Sequence, residues 1–260
     1  MLLEGKVAIV SGIGPGMGRD ISLRLAEEGA DVVLGARRTE KSEEVAEEVR
    51  ALGRRAEVVR LDITDPEACE AAVRTAVDSL GGLDILVNNA FQDGNRKRFL
   101  DAPLEEWRVT MDVNFWGTLQ MTRAAVPAMI ERGGGRVVMV NTMSAHRIEP
   151  AYGAYAASKG ALETVTKTLA AELGQDGIRV NGIHPGYIWG DSVEWYFGYL
   201  GKKRGISGEE VYREVADETA LKYLPHSSGI AGSVVFFASD LSKPVTGQSL
   251  DVNCGHWMAP

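Results

Sequence analysis

Along the chain, short runs of aliphatic and β-branched residues alternate with longer stretches in which apolar residues recur at helical spacing. Seven short runs have the length of buried strands: Lys6–Val10, Asp31–Leu34, Ala56–Leu61, Leu83–Val87, Arg136–Asn141, Arg179–His184 and Ser249–Val252. Helices are predicted between them, over residues 17–28, 40–52, 66–80, 104–132 (broken or bent), 155–173 and 228–239. Apolar strands separated by helices form right-handed crossovers, so the pattern predicts an α/β fold. It is a doubly wound parallel sheet of about seven strands with helices on both faces.

No internal repeat or flexible linker interrupts this alternation, so residues 1–260 are predicted to form one domain. The segment 187–225 departs from the rhythm, as a long insertion before the last helix. Its first part is dense in aromatic residues, namely Tyr187, Trp189, Trp195, Tyr196, Phe197 and Tyr199. Aromatic side chains at this density need burial or a ligand, so we predict a substrate lid here, with a subunit interface as the alternative.

Composition narrows the class of protein. Hydrophobic residues make up 45% and charged residues 25% of the chain, the ordinary balance of a globular domain. Lys and Arg number 28 against 36 Asp and Glu, and this acidic balance argues against a nucleic-acid partner. No apolar stretch approaches the roughly 20 residues of a membrane span. With only two cysteines, Cys69 and Cys254, a disulfide framework is not expected, and a cytoplasmic location is predicted.

A glycine-rich loop lies between the first predicted strand and the first predicted helix. Its glycines are Gly12, Gly14, Gly16 and Gly18, and Met17 stands at the helix start. Glycines there let the backbone approach a pyrophosphate, whose charge then meets the helix N-terminus. The loop therefore predicts dinucleotide binding, and an ordinary glycine-rich turn is the alternative.

The end of the second strand indicates which dinucleotide is bound. A site selective for NAD places a carboxylate there, against the adenosine ribose. This chain instead has Ala36 followed by Arg37 and Arg38. A guanidinium can hold a 2′-phosphate through two hydrogen bonds, so Arg37 favours NADP(H), and NAD(H) remains an alternative. Two solvated arginines would be the structural explanation.

Tyr155 and Lys159 open a predicted helix at a spacing of four, which puts the phenol and the ammonium on one helical face. Alone, this pair is a weak indication. Further motifs occur in order along the chain: Leu61–Asp65, Asn88–Ala90, Asn114, Ser144, Arg179–Asn181, Pro185-Gly186 and Thr246–Gln248. With the glycine loop, these motifs resemble the short-chain dehydrogenase/reductase family from Lys6 to about Gly255, and the resemblance implies a Rossmann fold.

The resemblance implies a role for four residues in catalysis. Tyr155 would be the general acid/base and Lys159 its electrostatic partner and a ribose ligand. Ser144 would orient the substrate carbonyl, and Asn114 would anchor a water relay. A nearby cation stabilises a phenolate, and about 4 kcal/mol of differential stabilisation would bring a phenol from pKa 10 to near 7.

The resemblance also implies the cofactor contacts. The pyrophosphate would lie against the glycine loop, the adenine against Asp62 and Ile63, and the nicotinamide ribose between Asn88 and Ala90. The nicotinamide ring would meet residues that follow the sixth strand, namely Pro185, Gly186 and Ile188.

The chain departs from the family pattern at three places. Phe91 stands where the family has a flexible glycine, which would narrow the mouth of the site. The family often has a serine 13 residues before the tyrosine. That position is Thr142 here, whereas Ser144 is 11 residues before Tyr155 and matches when counted from the strand end. A threonine expected shortly after Pro185-Gly186 is missing. We favour Ser144 as the catalytic hydroxyl and keep Thr142 as its rival.

Four residues are predicted to contact substrate: Phe91, His146, Tyr187 and Trp195. His146, His184, His226 and His256 show no metal-ligand spacing, so no metal site is predicted.

The sequence thus predicts hydride transfer between NADP(H) and a small-molecule carbonyl or secondary alcohol, with a bulky apolar substrate. A catalytically silent dinucleotide-binding regulator and a dehydratase or epimerase on the same scaffold are alternatives. The family resemblance implies a homotetramer, with helices 104–132 and 155–173 pairing across one two-fold axis and the final strand and helix across another.

Overall fold

A parallel sheet organises the chain. The computed structural model describes residues 1–258 and places seven strands in the order β3-β2-β1-β4-β5-β6-β7. They are β1 (Val7–Ser11), β2 (Asp31–Ala36), β3 (Ala56–Arg60), β4 (Ile85–Asn88), β5 (Gly135–Val140), β6 (Ile178–Pro185) and β7 (Ser249–Val252). All seven predicted strands are confirmed, each within two residues at either end.

Alternation along the central strands builds a core on each face of the sheet. On β1, Ala8 and Val10 contribute to one core, whereas Val7 and Ile9 contribute to the other. Successive side chains of a strand point to opposite faces, so a strand apolar at every position needs cover on both sides. The predicted doubly wound architecture, with helices on both faces, is confirmed.

Nine helices flank or extend the sheet within residues 1–258. They are α1 (Met17–Glu27), α2 (Glu40–Ala51), α3 (Pro66–Thr75), α4 (Leu104–Met111), α5 (Thr118–Glu131), α6 (Gly153–Leu173), α7 (Asp191–Arg204), α8 (Gly208–Glu218) and α9 (Ser227–Ala238). The first core contains side chains of α1, α2 and α9, and the second contains side chains of α3, α5 and α6. No helix among residues 1–258 is long and apolar enough to cross a membrane.

The predicted long helix 104–132 is interrupted. Its two parts, α4 and α5, are joined by a π-helical segment at Asp112–Gly117. One residue is extra in such a turn, which re-aims the side chains it carries and is frequent at functional sites. Asn114 lies in this segment and is fully buried. The prediction of a broken or bent helix is thereby confirmed.

The segment 187–225 contains α7 and α8, and they form a small core of their own. Phe197 and Val211 are almost fully buried in it, with the rings of Tyr187 and Trp189 packed against them. Most of the aromatic side chains predicted to need burial or a ligand therefore bury one another. Trp195 and Tyr199 are the exceptions, since they are 72% and 52% exposed.

Candidate active site

The glycine loop lies at the carboxyl ends of β1 and β4, where the strand order reverses direction. Open α/β sheets bind their ligands in the crevice at such a switch point. Asn89, directly after β4, donates from Nδ2 to the carbonyl of Gly12 at 2.6 Å. This bond fixes the loop against the neighbouring strand end.

The glycines of the loop fall into two kinds. A Cβ on Gly12 would lie 2.5 Å from the backbone of Ala90, and a Cβ on Gly18 would lie 2.3 Å from the carbonyl oxygen of Gly12. A Cβ on Gly14 or Gly16 would meet nothing within 4 Å. The first pair lets the backbone pack closely, and the second pair leaves an open surface beside the helix.

The start of α1 fits a bound pyrophosphate. The helix begins at Met17, and its N-cap, Gly16, supplies no side-chain hydrogen bond. Backbone N–H groups of the first turn therefore have no capping side chain, and an anion is the partner such groups favour. Open space at Gly14 and Gly16 and an uncapped helix end match the chemistry of a dinucleotide.

Arg37 and Asp62, the residues predicted to lie beside the adenosine, are close to each other. Arg37 is exposed directly after β2, and no carboxylate stands at the end of that strand. Burial would raise the pKa of Asp62, but hydrogen bonds from Thr64 and the charge of Arg37 outweigh it and lower that pKa. Arg37 is thus near Asp62, as a pair that brackets the adenosine would be. The side chain of Ile63 is buried against Gly117.

Unsatisfied polar atoms lie on residues at the ends of β4 and β5. Asn88 donates from Nδ2 to the Thr122 hydroxyl at 2.9 Å, while its Oδ1 has no partner among residues 1–258. Both side-chain polar atoms of Asn141, at the end of β5, also lack partners within that range. Buried polar groups are rarely left unpaired, so these atoms fit a bound polar group such as a ribose. Pro185, Gly186 and Ile188 follow at the end of β6.

Tyr155 and Lys159 lie in the first two turns of α6, and both are buried. The Lys159 Nζ donates to the carbonyl of Val140 at 2.7 Å and lies 5.9 Å from the centre of the Tyr155 ring. Burial lowers the pKa of Lys159 to about 7. Burial also raises the pKa of Tyr155 to about 12, against the effect of the Thr142 hydroxyl. The Tyr155 phenol is therefore protonated at neutral pH, whereas the neighbouring Lys159 gains or loses its proton near neutral pH.

The two rival hydroxyls have different environments. Thr142 is buried, and its hydroxyl interacts with the Tyr155 phenol closely enough to lower the pKa of Tyr155. Its Oγ1 also accepts from the Ser144 N–H at 3.2 Å. The Ser144 side chain is half-buried on the turn Met143–Ala145 that follows. Of the two hydroxyls, the one that interacts with the Tyr155 phenol is that of Thr142. From the sequence, Ser144 is the favoured hydroxyl, because Ser144 matches the family when residues are counted from the strand end.

Asn114 holds a loop in place. Its Oδ1 accepts from the Gln92 N–H at 2.7 Å, and its Nδ2 donates to the Gln92 carbonyl at 2.8 Å and to the Ser158 hydroxyl at 2.9 Å. Ser158 in turn donates to the Tyr155 carbonyl at 2.8 Å. The side-chain amide is thus occupied by protein groups. It ties the chain after β4 to the helix that carries Tyr155.

The four predicted substrate residues are not brought together. Phe91 is 56% exposed, with its ring edge-on to Tyr155 at 6.3 Å between centroids. Tyr187 lies in the small core and near Glu149, with its hydroxyl 3.4 Å from Oε1. Trp195 stacks on Tyr199 at the surface. His146 stacks on Trp257 at 4.4 Å, in a separate cleft. Phe91 is the one whose ring contacts a predicted catalytic residue.

Sequence reasoning missed Tyr152 and Arg96. The ring of Tyr152 stacks on Tyr155 at 4.7 Å, and the Arg96 guanidinium lies 4.3 Å from the Tyr152 ring centre and 5.0 Å from that of Tyr196. The spacing of three between Tyr152 and Tyr155 was the available signal, since such residues share a helical face. Nothing in the sequence connects Arg96 to them.

Known proteins share both this sequence and this fold. A family model described as enoyl-(acyl carrier protein) reductase matches residues 12–256. The 7alpha-hydroxysteroid dehydrogenase of Escherichia coli K12 is 31% identical over 253 residues, covering 97% of this chain and 94% of that protein. The L-sorbose reductase of Gluconobacter frateurii, solved with NADPH and L-sorbose, superposes with a TM-score of 0.93 at 31% identity and 100% coverage of both chains.

The carveol dehydrogenase of Mycobacterium avium, solved with NAD, superposes with a TM-score of 0.91 at 30% identity, covering 98% of each chain. These relatives span the length of this chain, and the motifs that carry the resemblance lie at the carboxyl edge of one Rossmann-type sheet. The chain belongs to the short-chain dehydrogenase/reductase family of oxidoreductases.

Proposed function

We propose that the protein is an NADP(H)-dependent oxidoreductase that interconverts a carbonyl compound and a secondary alcohol. One observation carries this proposal: the buried phenol of Tyr155 lies beside the Thr142 hydroxyl and one helical turn from the buried ammonium of Lys159. Relatives solved with NADPH and with NAD support a nicotinamide cofactor. When bound, such a cofactor supplies or accepts the hydride.

The protein's own residues move the proton. A phenol with its pKa raised to about 12 by burial holds its proton at neutral pH, and donates it to the oxygen that forms when a carbonyl is reduced. In the oxidative direction the phenolate must form, and both the Thr142 hydroxyl and the Lys159 ammonium favour it. Lys159 is anchored by the Val140 carbonyl and keeps its charge below a pH of about 7.

Asn114 acts as a positioning residue in this scheme. Its amide holds Gln92 and Ser158, and so fixes the chain that carries Phe91 relative to the phenol. Protein groups occupy this amide, and the water relay that the family resemblance implies for Asn114 stays a prediction.

The substrate side of Tyr155 combines apolar and charged groups. The Phe91 and Tyr152 rings contact Tyr155, and Arg96 stacks on Tyr152. Arg96 forms none of the ion pairs found among residues 1–258, although the charges of Asp93 and Glu149 also act on Tyr152. We therefore favour a substrate with an apolar body and a polar or anionic group, over the wholly apolar one that the aromatic residues of the insertion suggested.

The first test is turnover. The protein is incubated with NADPH and a panel of ketones, or with NADP and a panel of secondary alcohols. Each panel contains matched pairs of compounds with and without a carboxylate. We expect the absorbance of the reduced nicotinamide to change. Tyr155→Phe is expected to retain cofactor binding and lose about 10²–10⁴-fold in kcat, since one proton-donating oxygen is removed. Tyr223→Phe, which removes an exposed phenolic oxygen from a residue given no role in the site, serves as the control.

Cofactor binding without turnover of any substrate would favour the silent regulator. Product formation with no net change in reduced cofactor would favour the dehydratase or epimerase.

The pH dependence of kcat/KM distinguishes the roles of the Thr142 and Ser144 hydroxyls. Thr142→Val is expected to move the acidic limb of kcat/KM for alcohol oxidation to higher pH, because a hydrogen bond that lowers the pKa of Tyr155 is lost. Ser144→Ala is expected to lower kcat by about 10²–10³-fold without moving that limb, if its hydroxyl donates to the carbonyl oxygen. A shift caused by Ser144→Ala and not by Thr142→Val would reverse this assignment.

The preference for NADP(H) over NAD(H) is tested by substituting two neighbouring arginines. Arg37→Gln is expected to lower kcat/KM with NADPH by about 10–100-fold, since charge-assisted hydrogen bonds of about 1.5–3 kcal/mol would be lost, and to leave NADH unaffected. Arg38→Gln is the matched control, because it removes the same charge one residue later. Equal losses in the two variants, or a wild type that prefers NADH, would show that Arg37 does not read the 2′-phosphate.

The segment 187–225 is proposed as a lid, and the chain as a homotetramer. Exposed Trp195 and Tyr199 on α7 are available to cover a substrate. Apolar residues also remain exposed on the predicted helix 104–132, one of the two helices expected to pair across a subunit interface, among them Leu104, Val109, Trp116 and Ile130. The two surfaces are distinct, so single substitutions distinguish them.

Trp195→Ala is expected to raise KM for substrate with unchanged cofactor affinity and unchanged mass in light scattering, because it removes a covering side chain. Trp116→Ala is expected to weaken assembly and so lower the mass at micromolar concentration, because it removes exposed apolar area from the proposed interface. A lowered mass for Trp195→Ala with an unchanged KM would identify α7 as interface, and a monomeric wild type would disprove the tetramer.

A further inference from the structure

Two histidines far apart in sequence meet near the carboxyl ends of β5 and β6. His184 is near the end of β6, and His146 lies in the connection after β5. Their ring centres are 4.8 Å apart, because β5 and β6 pair in parallel with Val140 opposite Ile183. Glu163, on α6, completes a group in which one ligand atom from each residue lies within 4.8 Å of the others.

One imidazole nitrogen of each histidine, the Nε2 atom, lacks a hydrogen-bond partner among residues 1–258. The His184 side chain is only 3% exposed, its Nδ1 lies 3.4 Å from Oδ1 of Asp251, and its Nε2 has no partner among residues 1–258. The Nε2 of His146 lies 3.0 Å from Oε2 of Glu163, but the pair is not aligned as a hydrogen bond. A buried polar nitrogen without a partner lowers the stability of the folded protein, so a bound ligand would be favourable at these two atoms.

We propose that His146, Glu163 and His184 bind a divalent transition-metal ion, with Zn²⁺ as the ion best suited to the set. Two imidazoles and one carboxylate are a known ligand set for zinc. Bonds of about 2.1 Å in a tetrahedral arrangement place ligand atoms roughly 3.4 Å apart. The side chains therefore need only small shifts to close around an ion.

The surroundings of the three ligands fit this assignment. Asp251 lies behind His184, where a carboxylate fixes the tautomer and orientation of a metal-bound imidazole. Trp257 stacks on His146 and restricts its ring. A cleft of about 400 Å³ gives access from solvent and room for a fourth ligand such as water. Lys167 opposes binding, since its Nζ lies 3.0 Å from the other carboxylate oxygen of Glu163.

The ion would have a structural role. It would link three parts of the chain, namely the connection after β5, β6 and α6, whose neighbouring residues form the proposed active site. No side-chain hydrogen bond or ring contact within residues 1–258 links any of the three ligands to Tyr155 or Lys159. The role is thus stabilisation of this edge of the sheet, apart from hydride transfer.

Zinc binding tests the site directly. The full chain, stripped with EDTA and dialysed, is titrated with ZnCl₂ by isothermal titration calorimetry, and one ion per chain is expected, with a higher thermal midpoint on saturation. Glu163→Gln and His146→Asn are expected to weaken binding by about 10–100-fold or more and to abolish the thermal shift. His226→Asn, which removes an exposed histidine elsewhere, is the matched control and is expected to change neither readout.

Two further measurements sharpen the result. Lys167→Gln is expected to tighten zinc binding, because it removes the cation that competes for Glu163. MgCl₂ is expected to produce no heat, since Mg²⁺ prefers oxygen ligands. Absence of zinc binding to the folded wild type, or binding that Glu163→Gln and His146→Asn leave unchanged, would overturn the proposal, and circular dichroism of each variant confirms that it is folded.

Discussion

The contact between the glycine loop and the chain after β4 is the constraint on which the rest of the site depends. Gly12 has a φ of +89° and approaches the Ala90 backbone so closely that any side chain would collide with it. Asn89 then binds the Gly12 carbonyl. This packing places the uncapped start of α1 and the end of β4 on opposite sides of one crevice. A larger residue at position 12 would separate them, and the dinucleotide would lose both of its walls.

A second constraint is the burial of two ionisable side chains, those of Tyr155 and Lys159. A lysine in an apolar interior loses hydration, and a single carbonyl, that of Val140, does not restore it, so the pKa of Lys159 falls to about 7. The same burial raises the pKa of Tyr155. The free energy for holding this pair comes from the sheet and from α6, whose apolar residues fill the second core. Fold stability thus maintains a site that is unfavourable by itself.

The strands and the Tyr155–Lys159 pair were predictable because each depends on a short period in the sequence, two residues in a strand and about four in a helix. The π-helical segment around Asn114 was predictable only as a break, since its extra residue is set by packing between α5 and its neighbours. The proximity of His146 and His184 depends on which strands pair and in what register. The contact of the Thr142 hydroxyl with Tyr155 depends on the turn that follows the strand, which Thr142 caps, and the choice of Ser144 as the catalytic hydroxyl stays a prediction.

The residues proposed for the chemistry and those proposed for substrate binding come from different parts of the fold. Tyr155, Lys159 and the proposed cofactor residues lie at strand ends or on helices that pack against the sheet. Phe91, Arg96 and Tyr152 lie in connections or, for Tyr152, at the very start of α6. A connection changes sequence without disturbing a core, so substrate preference varies while the reaction is kept. For this chain the Arg96–Tyr152 stack, more than the aromatic core of α7 and α8, is therefore where its substrate is to be sought.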